Sequence, residues 1–238
     1  MKSNEFNLFL ESLSKCEKCL NIKNRNNKDY SLINIYKDHD FCRNIPSIWT
    51  DWFNRLDSKI MIIGQDWGPY KDMNKFYQRY KQDPTNTNWN NLIEEERSLT
   101  KRMLEKNLIE SAKLKNYPFT KEDFSKIFIT NSIMCARKGE LYRENNINLK
   151  ESSTNCSVNL SKQIDIIKPK VIITLGYYPL LSLSKIYNFK IENNLTKTIE
   201  KNNCFKFEKF IIIPIYHPAA QIKKETQISR YLKIWDNL

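Results

Sequence analysis

Four short stretches of the chain are apolar at nearly every position: Lys59-Ile60-Met61-Ile62-Ile63, Lys126-Ile127-Phe128-Ile129-Thr130, Lys170-Val171-Ile172-Ile173-Thr174-Leu175 and Phe210-Ile211-Ile212-Ile213-Pro214-Ile215. A strand with one wet face alternates apolar and polar residues, whereas a continuous aliphatic run suits a strand covered on both faces, as in a parallel sheet. Between these runs the period changes. Leu160, Ile164 and Ile167 recur at i, i+4 and i+7, a helical stripe that ends where Lys168 precedes Pro169. Residues 92–113 also read as a helix, with Leu99, Met103 and Leu104 as candidate core positions. Strands alternating with helices predict an α/β fold, a three-layer α/β/α sandwich around a mainly parallel four-stranded central sheet. The polar segments 81–91 and 137–155 read as loops. The chain length suits one domain over 1–238. Within it, residues 1–55 lack a clear strand and read as an N-terminal wrap around the core.

The residues at the end of each run are more informative than the run itself. The first run leads into Gly64-Gln65-Asp66-Trp67-Gly68-Pro69-Tyr70 and the second into Asn131-Ser132-Ile133-Met134-Cys135. The third meets Gly176-Tyr177-Tyr178, and the fourth meets Tyr216-His217-Pro218-Ala219-Ala220. The carboxyl ends of parallel strands share one edge of the sheet, where ligands bind. Asp66, Asn131 and His217 are therefore expected to converge on one cleft. Taken singly, each has a plainer reading: a turn or helix-capping carboxylate, a residue ending a strand, and a loop-structuring histidine before proline.

Charge narrows the choice of partner. Thirty-nine Lys and Arg against 27 Asp and Glu give a net charge of +12, which favours a polyanion through counterion release. A Lys/Asn-rich composition with scattered lysines produces the same surplus without a site. The N-terminus, Met1-Lys2-Ser3-Asn4-Glu5, is polar and no apolar run approaches bilayer length, so a soluble, cytoplasmic protein is expected. In that compartment six cysteines argue against a disulfide framework. Cys16-Glu17-Lys18-Cys19 is a CxxC pair, and Cys135 and Cys156 stand further along. Thiolates so placed suit zinc or an iron–sulfur cluster, or else are incidental buried thiols.

These segments together resemble the uracil-DNA glycosylase superfamily. Gly64-Gln65-Asp66-Trp67-Gly68 is similar to the family's water-activating loop, which in one branch reads Gly-Gln-Asp-Pro-Tyr. Asn131 resembles the base-reading asparagine, His217-Pro218-Ala219-Ala220 the His-Pro loop, and Lys168-Pro169-Lys170-Val171-Ile172-Ile173-Thr174-Leu175-Gly176 the segment preceding that loop. The resemblance covers about 60–238 plus the CxxC. It implies a monofunctional DNA glycosylase, acting as a monomer on double- or single-stranded DNA. Such an enzyme flips a pyrimidine into a pocket and hydrolyses its N-glycosidic bond, leaving an abasic site.

By the same resemblance, Asp66 orients or deprotonates a water and stabilises the oxocarbenium-like sugar, while His217 donates to the carbonyl oxygen of the leaving base. Asn131 offers the acceptor and donors that match N3–H and O4 of uracil. Gly64, Gln65, Gly68 and Phe76 fall to the base pocket. Trp67, Tyr70, Tyr77 and Trp89 are further candidates for the aromatic platform. Lys223 and Lys224 are candidate phosphate contacts. The iron–sulfur branch carries a CxxC near its N-terminus, a third Cys beyond the asparagine strand and a fourth at a helix start. Cys16, Cys19, Cys135 and Cys156 fall in those places, implying a 4Fe-4S cluster, with zinc as the alternative and Cys42 or Cys204 as substitute ligands.

Two departures matter. The iron–sulfur branch reads Gly-Glu-Ala-Pro-Gly where this chain has Asp66. The Asp-containing branch has a tyrosine at the position of Gly68, and that ring closes the pocket beside C5 of the base. Its absence here is expected to admit C5-substituted pyrimidines, such as the modified cytosines of phage DNA. A non-catalytic DNA- or damage-binding protein on the same fold is the rival. A nuclease is disfavoured because no carboxylate cluster suited to Mg²⁺ stands out.

Overall fold

Each of the four apolar runs is a strand, and each is buried on both faces in the way its composition requires. In a computed structural model, which describes residues 1–19, 32–37, 52–68, 70, 74, 78, 82, 99–137 and 149–238, the first helix α1 (Lys2–Ser14) is followed by strand β1 (Leu32–Ile33) and then by β2 (Ile60–Gly64). Next come α2 (Leu99–Leu114), α3 (Lys121–Ser125), β3 (Phe128–Asn131), β4 (Ala136–Arg137) and α4 (Leu149–Ile167). The chain ends with β5 (Val171–Leu175), α5 (Tyr177–Ile186), α6 (Leu195–Lys201), β6 (Phe205–Lys206), β7 (Ile211–Ile215) and α7 (Lys224–Trp235).

The central sheet has the order β3-β2-β5-β7-β6, with β3, β2, β5 and β7 parallel. Among the described residues it has five strands, not the expected four. The additional β6 pairs antiparallel with the edge strand β7 through two residues, too few to leave a periodic pattern in the sequence. Alternate strand residues face opposite layers. Met61, Ile63, Phe128, Ile172 and Ile212 join one buried cluster with residues of α1, α4 and α5. Ile60, Ile62, Ile129, Ile173 and Ile213 join a second with Leu104, Leu108 and Ala112 of α2 and Tyr231 and Ile234 of α7. Those two clusters are the two interfaces of a three-layer α/β/α sandwich.

Several boundaries differ from the sequence expectation. Leu99, which opens α2, is exposed, while Leu104 is fully buried; residues 92–98 lie outside the described residues. The segment 137–155 is not a loop throughout. Arg137 belongs to β4, and α4 begins at Leu149, so Cys156 is the eighth residue of that helix and not its start. The polar residues Ser152 and Ser153 on its buried face hid the first half of the helix from an apolar-stripe criterion, whereas the half with Leu160, Ile164 and Ile167 is helical as expected. The N-terminal segment forms α1, whose Phe6, Phe9, Leu10 and Leu13 enter the core. Lys2 Nζ donates to Leu56 O at 3.0 Å and to Ile167 O at 3.1 Å, which ties the start of α1 to the end of α4. Near the N-terminus β1 also pairs antiparallel with β4, Leu32 opposite Arg137 and Ile33 opposite Ala136.

Candidate active site

The parallel register sets side by side residues that are far apart in sequence. Gly64 ends β2 opposite Asn131, which ends β3, and β5 and β7 end close by at Leu175 and Ile215. The loops leaving these ends enclose a cleft of about 430 Å³ lined by Gly64, Gln65, Asp66, Trp67, Thr100, Asn131, Arg137, Leu175, Gly176 and His217. Asp66, Asn131 and His217 thus reach the same cleft from three loops. Gly64 and Gln65 line it too. Gly68 does not, and Phe76, with Tyr77 and Trp89, lies outside the described residues. Tyr70 packs on the core beneath α1 and α4, its hydroxyl donating to Asn74 Oδ1 at 3.4 Å.

Gly64 is needed for a steric reason. A Cβ built on it would lie 2.4 Å from Asn131 Oδ1, so the absence of a side chain is what lets the two strand ends carry Asn131 at this height. Asn131 is itself buried and borders the cleft. The turn after Gly64 is held to the β3 end by backbone bonds, Ser132 N to Gly64 O at 2.8 Å and Ile133 N to Gln65 O at 2.9 Å.

The carboxylate of Asp66 is fully engaged. Gln65 Nε2 donates to Oδ2 at 2.8 Å and Gly68 N donates to Oδ1 at 2.7 Å. Arg137 donates twice, Nε to Oδ1 at 3.1 Å and Nη2 to Oδ2 at 2.5 Å. The side chains of this ion pair are 6% and 2% exposed, so it is a desolvated bidentate pair. Sequence reasoning missed Arg137, because an arginine two places after a cysteine has no signature of its own. The Gly68 bond also explains that glycine. Its φ is 77°, in the left-handed region that favours glycine, as the turn that caps Asp66 requires.

His217 stands at the rim. Ala219 N donates to its Nδ1 at 3.3 Å, which leaves the proton of a neutral ring on Nε2. Although the residue is exposed, the protein around its ring displaces enough water to hold its pKa below the usual histidine value. Lys223 and Lys224 lie outside the cleft at the start of α7, both exposed, and Lys224 Nζ pairs with Glu110 of α2 at 2.5 Å.

The four candidate metal ligands are neighbours. Cys19, Cys135 and Cys156 are buried and Cys16 is half-buried. The Cys156 thiol donates to Cys19, which favours the Cys19 thiolate and holds Cys156 protonated. Burial, reinforced by charge at Cys19 and Cys16, pushes the Cys135 thiol up to about 12. Among the described residues, no group of three or more His, Cys, Asp or Glu is disposed to hold a single metal ion. The all-sulfur donor set, in which Cys135 and Cys156 are held protonated while Cys19 is favoured as thiolate, fits by its chemistry a cationic centre that would stabilise the thiolates. Cys204 stands apart, against the α2–α7 layer, and Cys42 lies outside the described residues. Among the described residues no helix is long and apolar enough to cross a membrane.

Comparison with known proteins adds an independent line. The family profile of the uracil DNA glycosylase superfamily matches residues 50–238. A type-4 uracil-DNA glycosylase of Sulfurisphaera tokodaii is 37% identical over 100 residues, 40% of this chain and 42% of that protein. One from Saccharolobus solfataricus is 33% identical over 98 residues, 40% of this chain and 43% of that protein. The chain thus matches less than half the length of these curated relatives.

Proposed function

The chain belongs to the uracil-DNA glycosylase superfamily, and from that premise we propose that it is a monofunctional DNA glycosylase that hydrolyses the N-glycosidic bond of a flipped pyrimidine and leaves an abasic site. The observation that carries this reading is the meeting of Asp66, Asn131 and His217 in one cleft from three separate loops. Breaking the bond builds positive charge on deoxyribose and negative charge on the departing base. Asp66, its carboxylate already held by Gln65, Gly68 and Arg137, supplies a fixed negative charge beside the sugar. His217, neutral with its proton on Nε2, supplies a donor for the carbonyl oxygen where negative charge collects. Asn131 supplies the amide that matches the N3–H and O4 edge of uracil. Duplex DNA hides this bond, so the base enters the cleft only after flipping.

Uracil is the substrate this geometry supports best. Gly68 argues for extra room at C5, but it does not line the cleft, and its φ of 77° gives the turn its own need for glycine. The wall here is Trp67, which packs edge-on against the buried Trp52, ring centroids 5.9 Å apart. C5-substituted pyrimidines, including the modified cytosines of phage DNA, remain the competing reading, favoured by the missing side chain at residue 68. Incubation with oligonucleotides carrying uracil, thymine or a bulky C5-modified cytosine separates the two: cleavage at uracil alone removes the wider pocket. Asp66→Asn tests the reading as a whole. If it leaves abasic-site formation intact, the catalytic assignment fails; a DNA-binding protein without activity would lose little affinity in the same variant.

The four thiols of Cys16, Cys19, Cys135 and Cys156 would hold a 4Fe-4S cluster, the all-cysteine ligation such clusters use. When bound, the cluster would supply the positive charge that lets buried thiols ionise, and would cross-link the N-terminal segment to β4 and α4. Iron, sulfide and zinc content of anaerobically purified protein decides between cluster and zinc. Lys223 and Lys224 are the proposed phosphate contacts, the Lys224–Glu110 pair giving way to DNA.

A further inference from the structure

Asp66 is held from two directions. Gln65 and Gly68 belong to its own turn, so their bonds tie the carboxylate only to the loop that carries it. Arg137 reaches it from β4, 71 positions along the chain, with a planar fork that engages both oxygens. Its backbone grips the same turn, Arg137 N donating to Gly68 O at 2.9 Å. A bidentate fork fixes the plane of a carboxylate as well as its position, which a lysine cannot do.

The ribbon behind Arg137 runs back to the thiols. Cys135 lies two residues before it, and its ladder partner Leu32 donates from its backbone N to Cys19 O at 3.3 Å. Two residues further on, Asn34 Nδ2 donates to Cys16 O at 2.8 Å and to Leu13 O at 2.8 Å. Strand β4 therefore starts next to Cys135 and ends at Arg137, while the antiparallel β1 starts at Leu32, opposite Arg137 and bonded to Cys19 O.

We propose that Arg137 is a positioning residue, whose fork, carried on the β1–β4 ribbon, sets the plane of the Asp66 carboxylate. This rests on the reading of Asp66 as the carboxylate beside the sugar. The consequence is a turnover effect separable from DNA binding, because Arg137 acts through Asp66.

The test uses full-length protein and a duplex containing one uracil. Single-turnover cleavage is measured for native protein, Arg137→Lys, Arg137→Ala, Asp66→Asn and the double variant Asp66→Asn/Arg137→Lys. Affinity is measured on a duplex with a cleavage-resistant 2′-fluorinated deoxyuridine. Arg137→Lys is expected to lower the rate about a hundredfold, the cost of a carboxylate about an ångström out of place. Affinity and iron content are expected to stay at native values. Guanidinium ion is expected to restore part of the rate of Arg137→Ala, and the lysine change is expected to cost nothing more once Asp66 is already Asn, since contacting residues are not additive. In ¹⁵N-labelled protein the Arg137 Nε–H is expected to exchange slowly and to lose that protection in Asp66→Asn. Should Arg137→Ala fail to fold, Arg137→Lys and the Nε–H signal carry the decision. A native rate in Arg137→Lys, or an equal loss with and without the Asp66 carboxylate, overturns the positioning role while leaving the glycosylase reading intact. Native protein that releases neither uracil nor a C5-modified cytosine overturns that reading, and the Nε–H signal still tests the fork.

Discussion

The contact between Gly64 and Asn131 is the tightest constraint at the residue scale. Adding one methyl group at Gly64 brings a carbon to 2.4 Å from Asn131 Oδ1, so Gly64→Ala must push the amide away or spread two strand ends. We expect Gly64→Ala to weaken binding of the uracil-containing duplex about tenfold or more, the cost of one well-made hydrogen-bonding edge. Binding of undamaged duplex should not change; equal weakening of both by fluorescence anisotropy would remove Asn131 from base reading. His217 gives a pH prediction. Its folded pKa lies below the ordinary 6.5, with burial as the cause, so the unfolded chain takes up the proton first. Its contribution to stability is therefore complete above about 6.5 and is lost as pH falls through the folded pKa. Over the same fall Nδ1 gains a proton and can no longer accept from Ala219 N. An NMR titration of the ring should give a midpoint below 6.5, and the Ala219 N–H signal should shift with the same midpoint as its Nδ1 acceptor is lost. His217→Ala is expected to lose about a hundred- to a thousandfold in rate, the usual effect of removing one charge-stabilising donor.

At the scale of elements, α4 and the β1–β4 ribbon bring the N-terminal residues to the sheet. Cys156 faces inward from the second turn of α4, and Cys135 precedes β4, so the thiol centre joins a helix, a ribbon and the loop after α1. We expect Cys135→Ser and Cys156→Ser to lower iron content together with the melting temperature, while Cys204→Ser, outside the group, leaves both unchanged. Metal analysis and thermal melting of the three variants check this. Helix α3 gives a prediction away from the site. Thr120 and Asp123 form a complete capping box, so Thr120→Ala should cost about 1 kcal/mol of stability without altering base release. The start of α4 and the whole of β6 were not legible in the sequence for reasons of length and polarity. A two-residue strand has no period, and the buried Ser152 and Ser153 interrupt the apolar stripe over the first turns of α4.

For the whole molecule, charge and topology act together. A net charge of +12 should make affinity for undamaged duplex fall steeply with salt, log K against log[salt] having a slope of about −0.9 for each phosphate neutralised. Lys223→Ala should reduce that slope by about one such contact, and an unchanged slope would take Lys223 out of the interface. The amino-acid sequence by itself determined the layers. Four continuous aliphatic runs cannot be exposed on either face, so hydrophobicity calls for a sheet covered by helices on both sides, as a mainly parallel sheet is. It also located Asp66, Asn131 and His217, because strand ends of a parallel sheet share an edge whatever lies between them. Only the tertiary structure decided what surrounds Asp66. Arg137 meets it across 71 positions through an ion pair whose two halves carry no common pattern in the chain, and Gly68 proved to serve the φ of 77° in that turn. Periodicity records which side of an element is buried; which two polar groups meet once it is buried is set by register and packing, and these exist only in the folded molecule.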